Sequence, residues 1–217
     1  NSDPLALNAS GTRAVTGSGD ETMTNNPADP VDRTVRVWNL ETGNELYKFE
    51  PGSGFVRAVA FSPDGRSVAS GTWDSAEGGR VQIWDLRTGG PGLAFYGHTD
   101  IITGVVYTSD SKRLISSSWD RSLRVWDITT GIEIQRFQGH NDRVLDMALS
   151  PDGEFIMTGT GNIGDFIADP NVDRAVEPGV WLWDIENRAT ERVFSGHRDW
   201  VWSAAFSPDG KLAASGS

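Results

Sequence analysis

The chain has 217 residues, a formal net charge of −11 and no cysteine. The acidic balance argues against nucleic acid and anionic membranes as partners, because phosphate recognition needs clustered Lys and Arg; the lack of cysteine excludes disulfides, thiolate-bound zinc and thiol nucleophiles. No apolar run approaches the roughly 18 residues of a membrane-spanning helix, so we expect a soluble protein and favour the cytoplasm, although no residue pattern fixes the compartment.

A short phrase recurs along the chain and predicts its strands. Each copy has an apolar strand leading into a Ser-Pro-Asp-Gly-like turn, a second strand ending in Ser-Gly-Ser or Ser-Gly-Thr, and a third ending in Val-Trp-Asp or Ile-Trp-Asp. A fourth strand ends near a Gly-His pair. In chain order the turn motifs begin at Leu7, Phe61, Tyr107, Leu149 and Phe206, and the last four are spaced by 46, 42 and 57 residues. Self-similarity near this period indicates stacked copies of one structural unit.

The unit at residues 55–97 shows what one copy predicts. Its segments FVRAVAFS, SVASGT, VQIWDL and LAFYGH are each bounded by turn residues. In the Ser-Pro-Asp-Gly turn, Pro presets one backbone angle and Gly accepts a positive one. We therefore predict four short antiparallel strands, named a to d, joined by tight turns. Because the inner strands are apolar on both faces, each sheet needs neighbours on both sides, and radial stacking in a β-propeller provides them.

Five such units are expected in one domain spanning residues 1–217. Their approximate bounds are 3–50, 55–97, 101–139, 143–196 and, for a half unit with strands a and b alone, 200–217. The expected total is 18 strands in about four and a half blades. Since the first unit starts at a strand a and the last stops after a strand b, the two ends cannot complete one blade. We therefore expect a segment of a longer propeller or, alternatively, a chain that pairs with a second copy.

These motifs resemble the WD-repeat β-propeller family, typified by the G-protein β subunit. Gly-His, Ser-Pro-Asp-Gly, Ser-Gly-Ser and Val-Trp-Asp are the repeated motifs, and the resemblance covers essentially the whole chain. The tryptophan position is held by Trp38, Trp84, Trp126 and Trp183, with Asn39 in place of the usual Asp after the first. The implied fold is all-β, a propeller of WD-type four-stranded antiparallel blades.

The resemblance also implies a buried polar network in each blade. In the third unit it would join His98, Ser116 or Ser118, Asp120 and Trp126. A buried imidazole and carboxylate need hydrogen-bond partners, and the network supplies them. The other units offer partial copies: Asp32 and Trp38, Asp74 and Trp84, His140 and Trp183, and His197. The second unit has Gly52 and Ser53 where Gly-His is expected, so its network is predicted to be incomplete.

Strand alternation places the d–a and b–c loops at one end of the propeller, which we name the top face. The a–b turns at the other end are nearly uniform, whereas the b–c loops at 20–33 and 162–179 are long, acidic insertions. In the family, residues at the start of strand a and before the b–c turn commonly contact peptides and partner proteins, and Trp and Arg dominate interface energetics. The residues so placed are Phe55, Arg57, Trp73, Trp119, Arg143, Trp200 and Trp202. The alternative is that these side chains only pack between the blades.

A small-ligand or cation sensor is the competing interpretation of the acidic b–c loops. The candidate metal ligands are Asp165, Asp169, Asn171 and Asp173, which resemble the start of a calcium loop. An EF-hand is excluded, because the loop lacks the Gly at its sixth position and the Glu at its twelfth. A further alternative is a structural repeat array attached to an effector domain outside this segment.

Catalysis is not expected. All three histidines, His98, His140 and His197, belong to Gly-His pairs that the resemblance assigns to structure. Triads and thiol sites therefore lack a base or a nucleophile. The sequence predicts a noncatalytic scaffold or adaptor without a cofactor, which binds protein or peptide through its top face and binds neither nucleic acid nor membrane.

Overall fold

The computed structural model describes residues 4–18, 32–52, 54–161 and 178–217. In these residues, 18 strands form four four-stranded sheets and one two-stranded sheet. Every strand pairing in the described ranges is antiparallel. The all-β propeller architecture predicted from the sequence is confirmed.

In each four-stranded sheet, neighbouring strands follow one another in the chain. The first sheet contains β1 (Leu5–Leu7), β2 (Arg13–Gly17), β3 (Val35–Asn39) and β4 (Glu45–Phe49). The second contains β5 (Phe55–Phe61), β6 (Ser67–Asp74), β7 (Gly78–Asp85) and β8 (Gly90–His98). The third contains β9 (Ile102–Tyr107), β10 (Arg113–Ser118), β11 (Ser122–Asp127) and β12 (Glu133–Gln138). The fourth contains β13 (Val144–Leu149), β14 (Phe155–Thr160), β15 (Val180–Asp184) and β16 (Ala189–Phe194), and the fifth pairs β17 (Ser203–Phe206) with β18 (Ala213–Gly216).

The repeated Ser-Pro-Asp-Gly phrase forms the turn between the first two strands. In the second sheet, Ser62 Oγ donates to Asp64 Oδ1 at 2.7 Å, and the Arg66 backbone N–H donates to the same oxygen at 3.0 Å. Gly65 has a φ of +69°, which a side chain would disfavour. The phrase thus supplies hydrogen bonds within its own turn. The Asp64 backbone N–H also donates to Ser111 Oγ in the corresponding turn of the third sheet, at 3.2 Å.

Among the residues that the structure describes, the core consists of four apolar clusters, and each cluster joins two consecutive sheets. In the second, third and fourth sheets, the tryptophan of the third strand packs on a phenylalanine from the fourth strand of the preceding sheet. The ring centroids lie 4.9 Å apart for Phe49 and Trp84, 5.4 Å for Phe95 and Trp126, and 5.6 Å for Phe137 and Trp183. The sheets are therefore held to one another by the repeated tryptophan, as expected for stacked units.

The small middle residue of the Ser-Gly-Thr phrase allows neighbouring sheets to approach closely. A Cβ atom on Gly71 in β6 would lie only 2.3 Å from the side chain of Ile102 in β9. The first strands of consecutive sheets pack in the same chain order, β1 against β5, β5 against β9, β9 against β13 and β13 against β17. This packing brings the starts of the first strands together at one end. Within the described ranges, no helix has the length and apolarity needed to span a membrane.

Candidate functional site

The start of each first strand lies beside the end of the second strand, and these ends form the top face. Phe55 pairs with Trp73 in the second sheet, and Ile102 pairs with Ser118 in the third. In the fifth sheet, the Trp202 backbone N–H donates to the Gly216 carbonyl oxygen at 2.9 Å. The predicted partner-binding residues therefore lie at the same end of neighbouring sheets.

Three consecutive sheets contribute one polar and aromatic cluster to this face. The guanidinium carbon of Arg57, from the second sheet, lies 5.3 Å from the ring centroid of Trp119, and that of Arg143, from the fourth sheet, lies 5.1 Å from it. The Trp119 backbone N–H donates to the Ile101 carbonyl oxygen at 3.0 Å, which fixes the main chain at this residue. Cation–π attraction stabilises both contacts. We name Arg57, Trp119 and Arg143 the Arg-Trp-Arg cluster.

The arginines of this cluster are partly removed from water. Burial lowers the pKa of Arg57, although the group stays charged at pH 7 because its ordinary pKa is far higher. Arg143 Nη1 is buried, and no group in the described part of the chain accepts a hydrogen bond from it. The cluster therefore combines a positive charge with an unused donor.

Asp142 is the carboxylate next to Arg143 in the chain. Its Oδ1 accepts a hydrogen bond from the Arg143 backbone N–H at 2.7 Å, whereas its buried Oδ2 has no hydrogen-bond partner among the described residues. Burial raises the pKa of Asp142. This carboxylate therefore leaves the Arg143 Nη1 donor unsatisfied.

Two tryptophans from the fifth sheet lie next to the Arg143 strand. Their ring centroids are 5.2 Å apart at an interplanar angle of 67°, and Trp202 is 49% exposed. The Gly161 backbone N–H donates to the Arg143 carbonyl oxygen at 3.1 Å, and a Cβ atom on Gly161 would lie 2.8 Å from the Trp200 Cβ. Trp200 and Trp202 therefore offer an aromatic surface beside the charged cluster.

Phe55 and Trp73 form a second aromatic pair at the start of β5. Their ring centroids lie 6.0 Å apart, and both side chains are half-buried. They face each other across the antiparallel pair of β5 and β6. Because Phe55 is two residues from Arg57, this pair adds apolar surface on the other side of the cluster.

The third sheet contains a hydrogen-bonded chain of four side chains. His98 Nε2 lies 2.8 Å from Ser116 Oγ, and His98 Nδ1 lies 2.7 Å from Asp120 Oδ2. Trp126 Nε1 donates to Ser116 Oγ at 2.9 Å. The chain joins β8, β10, β11 and the turn between β10 and β11, so it ties the top of this sheet to the strand that leads into it.

The ionisation states in this chain follow from burial and hydrogen bonding. Burial opposes ionisation of Asp120, but hydrogen bonds from His98, Ser122 and the Thr99 backbone outweigh it and lower the pKa of Asp120 to about 2. Burial also lowers the pKa of His98, against the opposing effect of Asp120. His98 therefore donates from Nδ1 to the carboxylate and accepts the Ser116 hydroxyl proton at Nε2, with both nitrogens used.

The fourth sheet has a histidine with a different set of partners. Trp183 Nε1 donates to His140 Nε2 at 3.0 Å, and Thr158 Oγ1 lies 2.9 Å from the same nitrogen. Since Nε2 accepts, His140 Nδ1 donates to the Arg121 carbonyl oxygen at 3.1 Å. Burial lowers the pKa of His140 to about 4. The imidazole is therefore neutral at pH 7, and its protonation would break the Trp183 hydrogen bond.

The second sheet keeps the tryptophan contact and lacks the histidine. Trp84 Nε1 donates to Ser70 Oγ at 3.0 Å. His98 and His140 each follow the tryptophan-packing phenylalanine by three residues, so the histidine position of the second sheet is Gly52, three residues after Phe49, and not Ser53 as the sequence pattern indicated. Gly52 has a φ of +93°. Instead, Arg80 Nη2 donates to the Pro51 carbonyl oxygen. An arginine from the third strand thus connects to the segment that the histidine would otherwise hold.

The first sheet has the same tryptophan contact. Trp38 Nε1 donates to Thr16 Oγ1 at 2.9 Å. Asp32 accepts hydrogen bonds from Thr34 Oγ1 at 2.6 Å and from Arg36 Nη2 at 2.8 Å. In each of the four-stranded sheets, a second-strand hydroxyl therefore lies within hydrogen-bond distance of the third-strand tryptophan, with 3.4 Å between Trp183 Nε1 and Thr158 Oγ1 in the fourth.

The repeated network and the sequence comparisons agree. The family model "WD domain, G-beta repeat" matches residues 43–85, 89–127, 131–165 and 189–217, about two thirds of the chain. The chain belongs to the WD-repeat family. A stretch of 54 residues, 22% of this chain, is 46% identical to the small ribosomal subunit protein RACK1y of Oryza sativa subsp. japonica. This stretch corresponds to 16% of that relative's length, so the similarity covers one part of each protein.

Within the WD-repeat fold, the predicted partner-binding residues separate into three groups. Arg57, Trp119 and Arg143 meet in one cluster, whereas Trp200 with Trp202 and Phe55 with Trp73 form two separate pairs. The fold thus brings together the charged members and arranges the remaining aromatic residues as neighbours on the same face.

Ser118 and Asp74 have partners other than those the WD-repeat resemblance implied, whereas His197 contacts a second-strand hydroxyl, as the resemblance implies. Ser118 donates to the Asp100 carbonyl oxygen at 3.1 Å, whereas Ser116 lies between the histidine and the tryptophan. Asp74 accepts hydrogen bonds within its own turn, from the backbone N–H of Ala76 at 2.8 Å. His197 Nε2 and Nδ1 lie 2.8 Å from the Oγ atoms of Ser215 and Ser217, respectively.

The sequence pattern identified a second-strand hydroxyl for the third sheet alone, and it did not identify those of the other sheets or Arg80. The hydroxyls belong to Thr16, Ser70, Thr158 and Ser215, and each is the first residue of the recurring Ser-Gly-Ser-like phrase. Aligning these phrases would have identified them, since their position relative to the strand end is constant. Nothing in the repeat pattern predicts Arg80, because that position carries Ser122 in the third sheet.

The candidate cation ligands Asp165, Asp169, Asn171 and Asp173 lie outside the described residues. Among the residues that the structure describes, no group of three or more His, Cys, Asp or Glu side chains is arranged to hold a metal ion. The cation-sensor interpretation therefore stays a prediction from the sequence of the fourth b–c loop.

Proposed function

We propose that this WD-repeat protein is a noncatalytic scaffold that binds protein or peptide partners through its top face. The observation that carries the proposal is the exposure of Trp202, 49%, beside Trp200 and the Arg-Trp-Arg cluster. A large aromatic side chain at the surface loses favourable contacts that a partner can supply, and Trp and Arg are the residues that most often dominate binding energy. These two residue types converge here on one face.

The histidine contacts support a noncatalytic role. His98 and His140 are buried, and each uses both ring nitrogens within the blade network. His197 has a serine hydroxyl beside each nitrogen. A general base needs a nitrogen that reaches the substrate, and these three histidines direct their nitrogens towards groups of the fold.

The similarity to RACK1y supports a role in a protein assembly. That relative is a small ribosomal subunit protein by name, and the similarity to it covers 22% of this chain. We extend to this chain only the coarser property, binding to other proteins. Pairing with a second copy of the chain, which the sequence also raised, stays a prediction.

Replacement of the top-face tryptophans tests the proposal. We expect Trp119→Ala and Trp202→Ala to lose partners that the immobilised wild-type protein captures from a cell extract, measured by quantitative mass spectrometry. Tyr96→Ala is the matched control, because Tyr96 is an exposed aromatic residue, 54% accessible, on the outer strand β8. We expect that control to retain the same partners.

Melting temperatures separate binding from packing. A half-exposed Trp202 contributes little to the core, so Trp202→Ala should lower the melting temperature by less than about 3 °C. A large drop for both tryptophan variants would assign them to inter-blade packing. Equal capture by Trp202→Ala, Trp119→Ala and the wild type would overturn the proposal.

A further inference from the structure

The first strand of the fourth sheet carries a carboxyl group where other first strands carry a small residue. Asp146 in β13 pairs with Gly159, the middle residue of the recurring Ser-Gly-Thr-like phrase in β14. The residues that pair with the same phrase position are Ala58 in β5 and Gly104 in β9. The repeated fold therefore does not need a carboxyl group at this position.

The side chain of Asp146 reaches across to the next sheet. The Ala204 backbone N–H, in β17, donates to Asp146 Oδ2 at 2.9 Å. Burial raises the pKa of Asp146, and hydrogen bonds from the backbone N–H groups of Ala204 and Met147 oppose that rise. Placing a carboxyl group here costs free energy that Ala or Gly would avoid. Asp146 therefore joins two sheets through a hydrogen bond that carries a desolvation cost.

This contact adds to the contacts that the repeat itself supplies. The fifth sheet packs on the fourth through its first strand, β17. The Val201 backbone N–H donates to the Thr160 carbonyl oxygen at 3.2 Å, and the Val56 backbone N–H donates in the same way to the Ser18 carbonyl oxygen at 3.4 Å. That backbone contact therefore recurs between sheets, whereas the Asp146 contact needs a side chain that β5 and β9 lack at this position.

The Asp146 contact lies close to the tryptophan pair of the top face. Ala204 follows Trp202 by two residues, and Asp146 follows Arg143 by three. Trp202 is 49% exposed, whereas Val201 beside it is fully buried. The hydrogen bond therefore fixes the strand that carries the tryptophans relative to the strand that carries Arg143. A surface that is held in place before binding loses less conformational freedom when a partner binds.

We propose that Asp146 is a positioning residue of the top face, which holds β17 so that Trp200 and Trp202 lie beside the Arg-Trp-Arg cluster and can contact a partner. This inference rests on the proposed function, because it names a residue that prepares the same surface. Asp146 acts through the main chain at Ala204 and does not itself contact the partner. The contact needs an acceptor oxygen at this position, so an amide can replace the carboxyl group.

Hydrogen exchange tests the contact itself. We would follow exchange of the Ala204 amide in NMR spectra of the full ¹⁵N-labelled protein. Asp146→Ala removes the acceptor, so exchange should be at least about tenfold faster, the change expected from losing a hydrogen bond to a carboxylate. Asp146→Asn keeps an acceptor oxygen and should exchange within about threefold of the wild type. Asp146→Ser, whose side chain is one bond shorter, serves where Asp146→Ala fails to fold.

Partner capture tests the effect on the surface. The probes are the partner proteins that the wild type captures and Trp202→Ala does not. Asp146→Ala should reduce their capture at least about threefold, and Asp146→Asn should restore capture to about the wild-type level.

Asp152→Ala is the matched control. It removes a carboxylate from the opposite end of the same sheet, where Asp152 accepts hydrogen bonds from Ser150 Oγ and the Glu154 backbone N–H within the turn. The variant should lower the melting temperature and leave capture within about twofold of the wild type. Lower stability alone would therefore not imitate the effect of Asp146→Ala.

Four results would overturn the inference: unchanged Ala204 exchange in Asp146→Ala, unchanged capture by Asp146→Ala, no restoration by Asp146→Asn, or an equal loss of capture in Asp152→Ala. If capture depends on Trp202 and not on Asp146, the positioning inference falls and the proposed function stands. If no captured partner depends on Trp202 or Trp119, the proposed function falls, and the inference falls with it even where Ala204 exchange responds.

Discussion

The second and third sheets share a strand order and a tryptophan-to-serine hydrogen bond, and they differ in how the top of the sheet is tied to the preceding strand. The third sheet uses His98 and Asp120, which form a buried pair 2.7 Å apart. The second sheet has Gly52 at the histidine position and connects Arg80 to the Pro51 carbonyl oxygen. One sheet therefore uses a side-chain network where the other uses a single contact from side chain to backbone.

The second sheet lacks both the histidine and the carboxylate of the network. The residue six positions before the tryptophan is Asp120 in the third sheet and Gly78 in the second. Histidine and carboxylate are thus absent together, which leaves no unpaired buried charge in the second sheet. Gly52 also has a φ of +93°, where a histidine would be strained. The backbone conformation at Gly52 therefore matches the absence of a histidine in the second sheet.

The largest expected effect comes from removing the histidine in the third sheet. His98→Ala leaves Asp120 and Ser116 buried without their partner, so we expect the free energy of unfolding to fall by about 4 kcal/mol. Urea unfolding followed by circular dichroism measures it. The control is His197→Ala, whose partners Ser215 and Ser217 are exposed, and we expect a loss under about 1 kcal/mol. Equal losses for the two variants would contradict a special role for the buried pair.

The repeated motifs predict the fold because each copy carries its own local signals. The turn at Asp64 is encoded by residues within five positions of one another, and the tryptophan packing repeats with the unit. These short-range signals are visible in one sequence. The strand count and the pairing order follow from them once the repeat is recognised.

The site was predicted less completely, because its contacts cross between sheets. The sequence placed Arg57, Trp119 and Arg143 on one face, but their convergence on a single indole depends on three-dimensional packing. Arg80 shows the same limit, since this residue of β7 contacts the Pro51 carbonyl oxygen in the one sheet where Gly52 takes the histidine position. A repeat pattern predicts the contacts that all copies share. It does not predict a contact that replaces a motif residue missing from one copy.

Acidification should reveal the second-largest effect through the histidine of the fourth sheet. The pKa of His140 is about 4 in the folded protein and about 6.5 when unfolded, so only the unfolded chain binds a proton between these values. The free energy of unfolding should therefore decrease as the pH falls from 6.5 to 4, by up to about 3 kcal/mol. Urea unfolding at pH 7, 5 and 4 measures this slope.

His140→Gln provides the comparison for that slope. The amide does not titrate, so the variant should have a lower free energy of unfolding at pH 7 and a shallower decrease towards pH 4. Asp120 acts in the same direction but at lower pH, because its pKa is about 2 when folded, so its stabilisation is lost only as the pH falls from about 4 towards 2. An unchanged slope in His140→Gln would exclude His140 as the main titrating group.

The smallest of these effects concerns the contact that stands in for the histidine in the second sheet. Arg80→Ala removes a charge-assisted hydrogen bond and leaves the Pro51 carbonyl oxygen unpaired, so we expect a loss of about 1.5 kcal/mol in urea unfolding. Arg87→Ala is the control, since Arg87 is exposed and should cost less than about 0.5 kcal/mol. A value between those of Arg87→Ala and His98→Ala would show that one arginine replaces part of the histidine network. A loss equal to that of the control would mean that the Arg80 contact does not stabilise the second sheet.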